Sequence, residues 1–125
     1  MKNKSIVKIL VLAAFISGAL FSCTYETITR TEPEVPDSVS FSVDIIPIFN
    51  ASCNVSGCHS KGGIAPDLTE QNAYISLIFF GYIDTDVPEE SIVYEKINTG
   101  SMKTYATDTD RALILKWIEQ GALDN

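Results

Sequence analysis

The chain has 125 residues, enough for one small domain, and 46% of them are hydrophobic, whereas only seven are glycine and five are proline. Such a composition argues against a disordered or low-complexity protein. Sixteen acidic residues against nine basic ones give a formal net charge of −7, and this charge argues against nucleic acid as a partner.

The first 22 residues predict an export signal. Three lysines precede an apolar run over residues 9–21, which is too short to span a bilayer but suits the hydrophobic part of a secretory signal. The run ends in Leu20-Phe21-Ser22-Cys23, which resembles a bacterial lipobox. We therefore predict that residues 1–22 are a lipoprotein signal peptide and that Cys23 is lipidated. An ordinary signal peptide or an uncleaved anchor is the alternative.

Residues 23–39 predict a flexible tether between that anchor and a folded domain over residues 40–125. The segment is polar, contains Pro33 and Pro36, and shows no apolar period. Without the signal, the chain keeps six basic residues against sixteen acidic ones, a formal charge of about −10. This balance disfavours electrostatic docking on anionic lipid, so we expect contact with the membrane through the lipid anchor. The negative charge could serve to bind a basic partner surface, or it could simply keep the domain soluble.

The helical pattern of the folded part begins ahead of Cys53. Apolar residues cluster on one side of a helix predicted over residues 43–52, with Asp44 as its N-cap and Pro47 in its first turn, where a missing N–H removes no hydrogen bond. A second short helix is predicted with Thr69 as its cap, and residues 81–82 end it.

Two more helices follow in the second half of the chain. Residues 88–90 predict the first turn of a third helix, which residues 98–100 end. Thr107 and Asp110 resemble a capping box at the start of the last helix, and Gly121 is a natural stop. Since no segment alternates like a strand, we predict an all-α domain of about four short helices. A domain this small buries a modest core, so we expect its loops to wrap around a cofactor.

The loop after the first predicted helix carries Cys53-Asn-Val-Ser-Gly-Cys58-His59. This is a stretched form of the C-x-x-C-H motif that attaches haem covalently. Each thiol can form a thioether with a haem vinyl group, and the imidazole of His59 can ligate the iron. We therefore predict one haem c, bound covalently through Cys53 and Cys58.

The choice of axial ligands is narrow in this chain. His59 is its only histidine, and Met102 is the only methionine outside the predicted signal. If the iron takes a His/Met pair, as in electron-transfer cytochromes c, these two residues are the only candidates. Cys53 and His59 are further apart than one helical turn, so residues 54–57 must form a loop or bulge, which Gly57 can permit.

Residues 40–123 resemble the class I cytochrome c domain, and in particular the small lipid-anchored c-type cytochromes of Bacteroidetes-type bacteria. The segments that carry the resemblance are Asp44-Ile-Ile-Pro-Ile-Phe49, the motif from Cys53 to His59, Ala65-Pro66-Asp67-Leu68, Gly100-Ser101-Met102 and Leu115-Lys-Trp117-Ile118-Glu-Gln-Gly121-Ala122. The resemblance implies a cytochrome c-like fold wrapped around a covalently bound haem.

The resemblance also implies roles for single residues at the haem. The backbone carbonyl of Pro66 would accept a hydrogen bond from the His59 imidazole and so fix its orientation. Leu68 would pack on the haem, and Met102 would be the distal ligand of the iron.

Further positions follow the family, and one departs from it. Phe49 and Trp117 would be the aromatic contacts where the first and last helices cross. Lys103 stands where the family commonly has proline, which puts the rigidity of the Met102 loop in question, and its amine could ligate the iron at high pH.

These features predict a single-electron carrier in the bacterial cell envelope, with envelope redox proteins as its partners. We expect the lipid anchor to hold it on a membrane, either facing the periplasm or on the outer membrane surface. A haem enzyme such as a peroxidase needs an open iron position and a distal acid/base group, usually histidine. The single histidine is already a predicted ligand, so we do not expect catalysis by this chain, although it could be a small haem subunit of a larger redox enzyme.

Two hypotheses without haem stay open. Cys53 and Cys58 could form a disulfide, because an exported protein meets oxidising conditions, and the chain would then be a binding module in which His59 is incidental. A zinc site could use the same three side chains, but a closed tetrahedral site needs a fourth ligand, and the sequence contains no second ligand cluster.

Overall fold

The computed structural model describes residues 33–125, so the predicted signal peptide over residues 1–22 and the predicted lipidation site Cys23 lie outside the described residues. Within residues 33–125 the chain is helical and has no strand, which confirms the all-α prediction. None of the helices in this range is long and apolar enough to cross a membrane.

The described part of the chain contains four α-helices and several short turns of other helical types, joined by loops. Helix α1 spans Ile46–Ser52, α2 spans Ala73–Phe79, α3 spans Ile92–Asn98 and α4 spans Asp108–Glu119. A π-helical turn, Phe41–Ile45, leads directly into α1, and 3₁₀ turns over Pro88–Glu90 and Lys103–Tyr105 precede α3 and α4.

The first helical segment begins earlier than predicted, because Ser40 rather than Asp44 caps it. The Ser40 hydroxyl accepts the Val43 N–H at 3.3 Å, and the Ser40 N–H donates to the Asp44 carboxylate at 2.7 Å. The assignment of Asp44 as N-cap is therefore wrong, since its carboxylate instead bonds back to the cap. Pro47 lies at the start of α1, but the π-helical turn Phe41–Ile45 directly precedes this helix, so Pro47 is not in the first turn of the whole helical segment, as the prediction required.

The second helix has a different cap from the predicted one. Asn72 occupies the N-cap position of α2. The carbonyl of Thr69 accepts the N–H groups of Asn72 at 2.9 Å and Ala73 at 2.8 Å, so Thr69 closes the turn ahead of the helix. Gly81 follows the end of α2 with φ +70°, and this confirms the predicted stop.

The predicted third helix is divided at Ser91. The backbone of Ser91 is extended (ψ 128°) and its side chain is buried. Its hydroxyl accepts the Asp84 N–H at 2.9 Å and donates to the Asp84 carbonyl at 3.1 Å. Because these bonds hold Ser91 out of the helix, residues 88–90 form a separate turn and α3 starts at Ile92.

The last helix agrees with its prediction at both ends. The Asp110 N–H donates to the Thr107 hydroxyl at 3.1 Å, and the Thr107 N–H donates to the Asp110 carboxylate at 2.8 Å. This is the reciprocal pattern of a capping box. Gly121, with φ +95°, follows the end of α4.

The core is built around the ring of Phe41. Its centroid lies 5.0 Å from that of Trp117, 5.4 Å from Tyr74 and 6.4 Å from Phe49. Phe49 and Trp117, which the resemblance assigned to the helix crossing, are both buried. The ring of Phe41, in the π-helical turn, packs near both of them.

The folded part also begins before residue 40. Val39 is buried and Val35 packs against the core. The side chain of Gln120 accepts the Val39 N–H at 3.0 Å and donates to the Asp37 carbonyl at 3.2 Å. The last residues of the segment that we predicted as a flexible tether are thus held beside the end of α4, because the two valines there bury apolar surface.

Candidate functional site

The loop from Cys53 to His59 leaves α1 and turns back on itself. Both Cys53 and Asn54 donate their N–H groups to the Phe49 carbonyl at 2.9 Å, which ends the helix, and the His59 N–H returns to the Cys53 carbonyl at 3.1 Å. Gly57 has φ +84°, a conformation that glycine adopts without strain. The prediction of a loop that depends on Gly57 is confirmed.

A second glycine fixes the chain just after the motif. The Ile64 N–H donates to the Cys58 carbonyl at 2.7 Å. A Cβ atom on Gly63 would lie 2.2 Å from that same carbonyl oxygen, which is backbone and has nowhere to move. Only glycine therefore lets residues 63–64 pack against Cys58.

The imidazole of His59 is held through one of its two nitrogens. Nδ1 lies 3.0 Å from the Ile64 carbonyl oxygen and 3.1 Å from the Pro66 carbonyl oxygen. A carbonyl can only accept, so Nδ1 carries a proton, and in the neutral imidazole the lone pair is then on Nε2. The hydrogen bond to Pro66 is the one that the resemblance implied, and the contact with Ile64 is additional.

The segment after Pro66 is held by the carboxylate of Asp67. It accepts the Thr69 hydroxyl at 2.6 Å, the Thr69 N–H at 3.0 Å and the Asn72 side-chain amide at 2.9 Å. The bond from the Thr69 hydroxyl, followed by that from the Thr69 N–H, holds the pKa of Asp67 below its ordinary value. The backbone beside the Pro66 carbonyl is thus fixed by an ionised side chain.

Leu68 connects this segment to the cysteine loop. Its side chain is buried, and its N–H donates to the His59 carbonyl at 2.7 Å. The side chain of Asn54 also donates to the Leu68 carbonyl, at 3.3 Å.

Met102 lies on a loop that passes closely over the end of α3. The Met102 N–H donates to the Lys96 carbonyl at 2.9 Å. A Cβ atom on Gly100 would lie 2.9 Å from the Lys96 Cα, so glycine is needed for this close approach. The Lys103 N–H donates to the Gly100 carbonyl at 3.3 Å, a bond that a proline at position 103 could not make.

A single cavity of about 290 Å³ brings these residues together, close to the lower end of small-molecule sites, which hold about 300–1,000 Å³. Its wall contains all the predicted site residues of the described range: Cys53, Cys58, His59, Pro66, Leu68 and Met102. Core side chains complete an apolar surface, among them Ile48, Phe49, Ile97 and Ile114.

The two thiols in the cavity wall are free, and Cys53 and Cys58 are both half-buried. Burial, followed by the negative charges of Asp110 and Cys58, raises the pKa of the Cys53 thiol above its ordinary value. At neutral pH this thiol therefore stays protonated, which limits its unassisted reaction with electrophiles.

Several residues of the cavity wall were not identified from the sequence: Ile64, Tyr82, Ile92, Lys96, Ser101 and Tyr105. Ile92 and Lys96 are one helical turn apart, so the predicted third helix could have placed Lys96 beside Ile92 on the same face. Ile64 contributes its backbone carbonyl, and such a contribution cannot be predicted from the residue type.

The donor atoms of this wall suit a soft or borderline metal. An imidazole Nε2 and a thioether sulfur favour iron or copper over magnesium or calcium. A closed zinc site needs four ligands. Within residues 33–125, no three His, Cys, Asp or Glu side chains are grouped so that they could hold a metal ion, so the geometry does not favour the zinc hypothesis.

No protein-family model matches the chain, and no curated protein and no solved structure matches it. The function is therefore inferred from the residues of the site.

Proposed function

We propose that this chain is a monohaem c-type cytochrome that carries single electrons, with a cytochrome c-like domain formed around one haem c. The haem would be attached through Cys53 and Cys58, and its iron would be ligated by His59 and Met102. The observation that carries this proposal is the presence of two free thiols, a lone imidazole and a lone thioether in the wall of one apolar cavity.

The side chains present suit a haem in three respects. The two thiols are free to form thioethers. The Nδ1–H of His59 is bonded to backbone carbonyls, which orients the ring and leaves Nε2 available as a ligand. The wall between these groups is apolar, as the faces of a porphyrin require.

When bound, a haem supplies a one-electron couple of its iron, and the chain's residues set its environment. Pro66 and Ile64 orient the imidazole. Leu68 and Met102 line the cavity, where Leu68 would keep water from one side of the haem and the Met102 sulfur would favour the reduced state of its iron. The proposal extends to the cell envelope, to which residues 1–22 would direct the chain as a signal peptide, and where a lipidated Cys23 would tether the domain to a membrane and bring it to redox partners.

Covalent haem is tested on the full chain, produced with periplasmic haem-attachment machinery. We expect a pyridine haemochrome spectrum and one haem per chain that acidic solvent does not extract. The double variant Cys53→Ala/Cys58→Ala should lose this haem, whereas Cys23→Ser, which changes the third cysteine, should keep it. A chain without covalent haem and with a Cys53–Cys58 disulfide would support the binding-module hypothesis instead.

The second ligand is tested by Met102→Ala. We expect the variant to keep its covalent haem but to lose the sulfur-to-iron absorption band at the red edge of the spectrum, and its reduction potential should fall, because the thioether stabilises reduced iron. Lys103→Ala, at the next position, is the control and should keep the band. An unchanged spectrum in Met102→Ala would remove Met102 from the coordination sphere.

A further inference from the structure

The side chain of Arg111 is directed at the backbone around Met102. Only 15% of the Arg111 side chain is exposed. Its Nη1 lies 2.6 Å from the Ala106 carbonyl oxygen, 3.1 Å from that of Lys103 and 3.3 Å from that of Ile97. Its Nη2 pairs with the carboxylate of Asp108. One guanidinium therefore connects three carbonyls that are separate in the sequence.

These three carbonyls enclose the Met102 loop. Ile97 lies in the last turn of α3, Lys103 directly follows Met102, and Ala106 follows the 3₁₀ turn. Arg111 itself is fixed, because it lies in α4 only four residues after the capping residue Thr107. The loop is thus held on both sides of Met102 from a helix that begins after it.

Arginine suits this position for chemical reasons. Its guanidinium stays charged at every relevant pH and presents several donors in one plane, whereas a lysine amine is a compact point charge. The carbonyl ends of a helix carry partial negative charge, so a cation beside Ile97 is also favourable electrostatically. Removing the guanidinium would leave carbonyls of this half-buried region without their donor.

We propose that Arg111 is a positioning residue that holds Met102 in the cavity wall. Arg111 restrains this loop from outside it, through its hydrogen bonds to the carbonyls of Ile97, Lys103 and Ala106. Its effect on the iron rests on the proposed function, whereas its effect on the loop does not.

The test compares Arg111→Gln and Arg111→Lys with Lys116→Gln, which removes a cation from the same helix. We expect each variant to keep its covalent haem, because Cys53, Cys58 and His59 lie on another loop. In Arg111→Gln the red-edge band should weaken, and added imidazole should displace Met102 with an affinity about tenfold higher, equivalent to about 1.4 kcal/mol. Arg111→Lys should restore the band and the imidazole affinity only in part. Lys116→Gln should show the same band and the same imidazole affinity as the unmodified chain.

Hydrogen exchange of the loop amides separates the two proposals. In Arg111→Gln, residues 99–106 should exchange faster while the middle of α4 keeps its protection, and this measurement does not require haem. A chain without haem that shows faster loop exchange in the variant overturns the proposed function and supports the positioning role. A haem-loaded Arg111→Gln variant with unchanged imidazole affinity overturns the positioning role.

Discussion

At the scale of single residues, the imidazole of His59 bonds to a carbonyl that is directly followed in the chain by a carboxylate residue. The Nδ1–H of His59 is bonded to the carbonyl of Pro66. Asp67, the next residue, is held by Thr69 and Asn72 through three hydrogen bonds. The ionised Asp67 therefore stabilises the turn that directly follows the acceptor of the imidazole.

We expect Asp67 to make stability depend on acid pH. Its pKa is lowered in the folded chain, so its contribution is present above the unfolded value of about 3.9 and is lost as the pH falls through the lowered pKa. Asp67→Asn should therefore lower the midpoint of urea denaturation at about pH 7. Between about pH 7 and about pH 3, the midpoint of the variant should fall less than that of the unmodified chain.

Asp124→Asn, which removes a carboxylate outside this turn, controls for the change in net charge. A difference between Asp67→Asn and the unmodified chain that is equally large at both pH values would show that ionisation of Asp67 does not stabilise the turn.

The site residues that could be predicted from the sequence belong to residue types that are rare in this chain. His59 and Met102 were identified because each stands alone in the chain after the predicted signal, and Cys53 and Cys58 because of their spacing. All four line the same cavity. The carbonyl of Ile64 could not be identified in this way, because every residue has a carbonyl and only the folded chain decides which one is used.

At the scale of elements, signals within α4 predicted that helix, whereas a contact from outside the predicted third helix divided it. The capping box and Gly121 lie within the sequence of α4 or beside it, so its bounds follow from neighbouring residues. The break at Ser91 instead depends on Asp84, seven residues earlier. A helix pattern over residues 88–97 contains no sign of that contact.

The capping box of α4 gives a prediction for this scale. Thr107→Ala should lower the free energy of unfolding by about 1 kcal/mol, because the Asp110 N–H loses its acceptor. Thr109→Ala changes an exposed threonine inside the same helix and should cause no loss, since alanine is the better helix former. Urea denaturation of both variants measures the difference, and equal losses would contradict a specific role for the cap.

At the scale of the whole molecule, one small aromatic core carries the fold. The ring of Phe41 packs near Phe49, Tyr74 and Trp117, and Phe49 also lines the cavity. The core and the site therefore share a wall. The sequence predicted the apolar faces of the helices and a helical pattern from Phe41 onward, but the first helix itself was predicted only from residue 43, so the central position of the Phe41 ring in the core was not predicted.

Phe41→Ala should destabilise the domain by about 3–5 kcal/mol, as large-to-small changes at buried aromatic residues do. That loss is comparable to the whole stability of many small domains, roughly 5–15 kcal/mol. Phe79, which is 79% exposed, provides the matched control, and Phe79→Ala should stay within about 0.5 kcal/mol.

Denaturant unfolding, followed by circular dichroism, measures both phenylalanine variants. Equal losses in the two would mean that the ring of Phe41 is not central to the core.

The contacts of Phe41 also set an order of events during synthesis. Its ring stacks on Trp117 and its N–H donates to the side chain of Asn125, 84 positions later. This core cannot close until the last helix has left the ribosome, since contacts between distant positions form only when both are present. The segment from Cys53 to His59 emerges well before then, so its two thiols are exposed to solvent while the domain around them is still open.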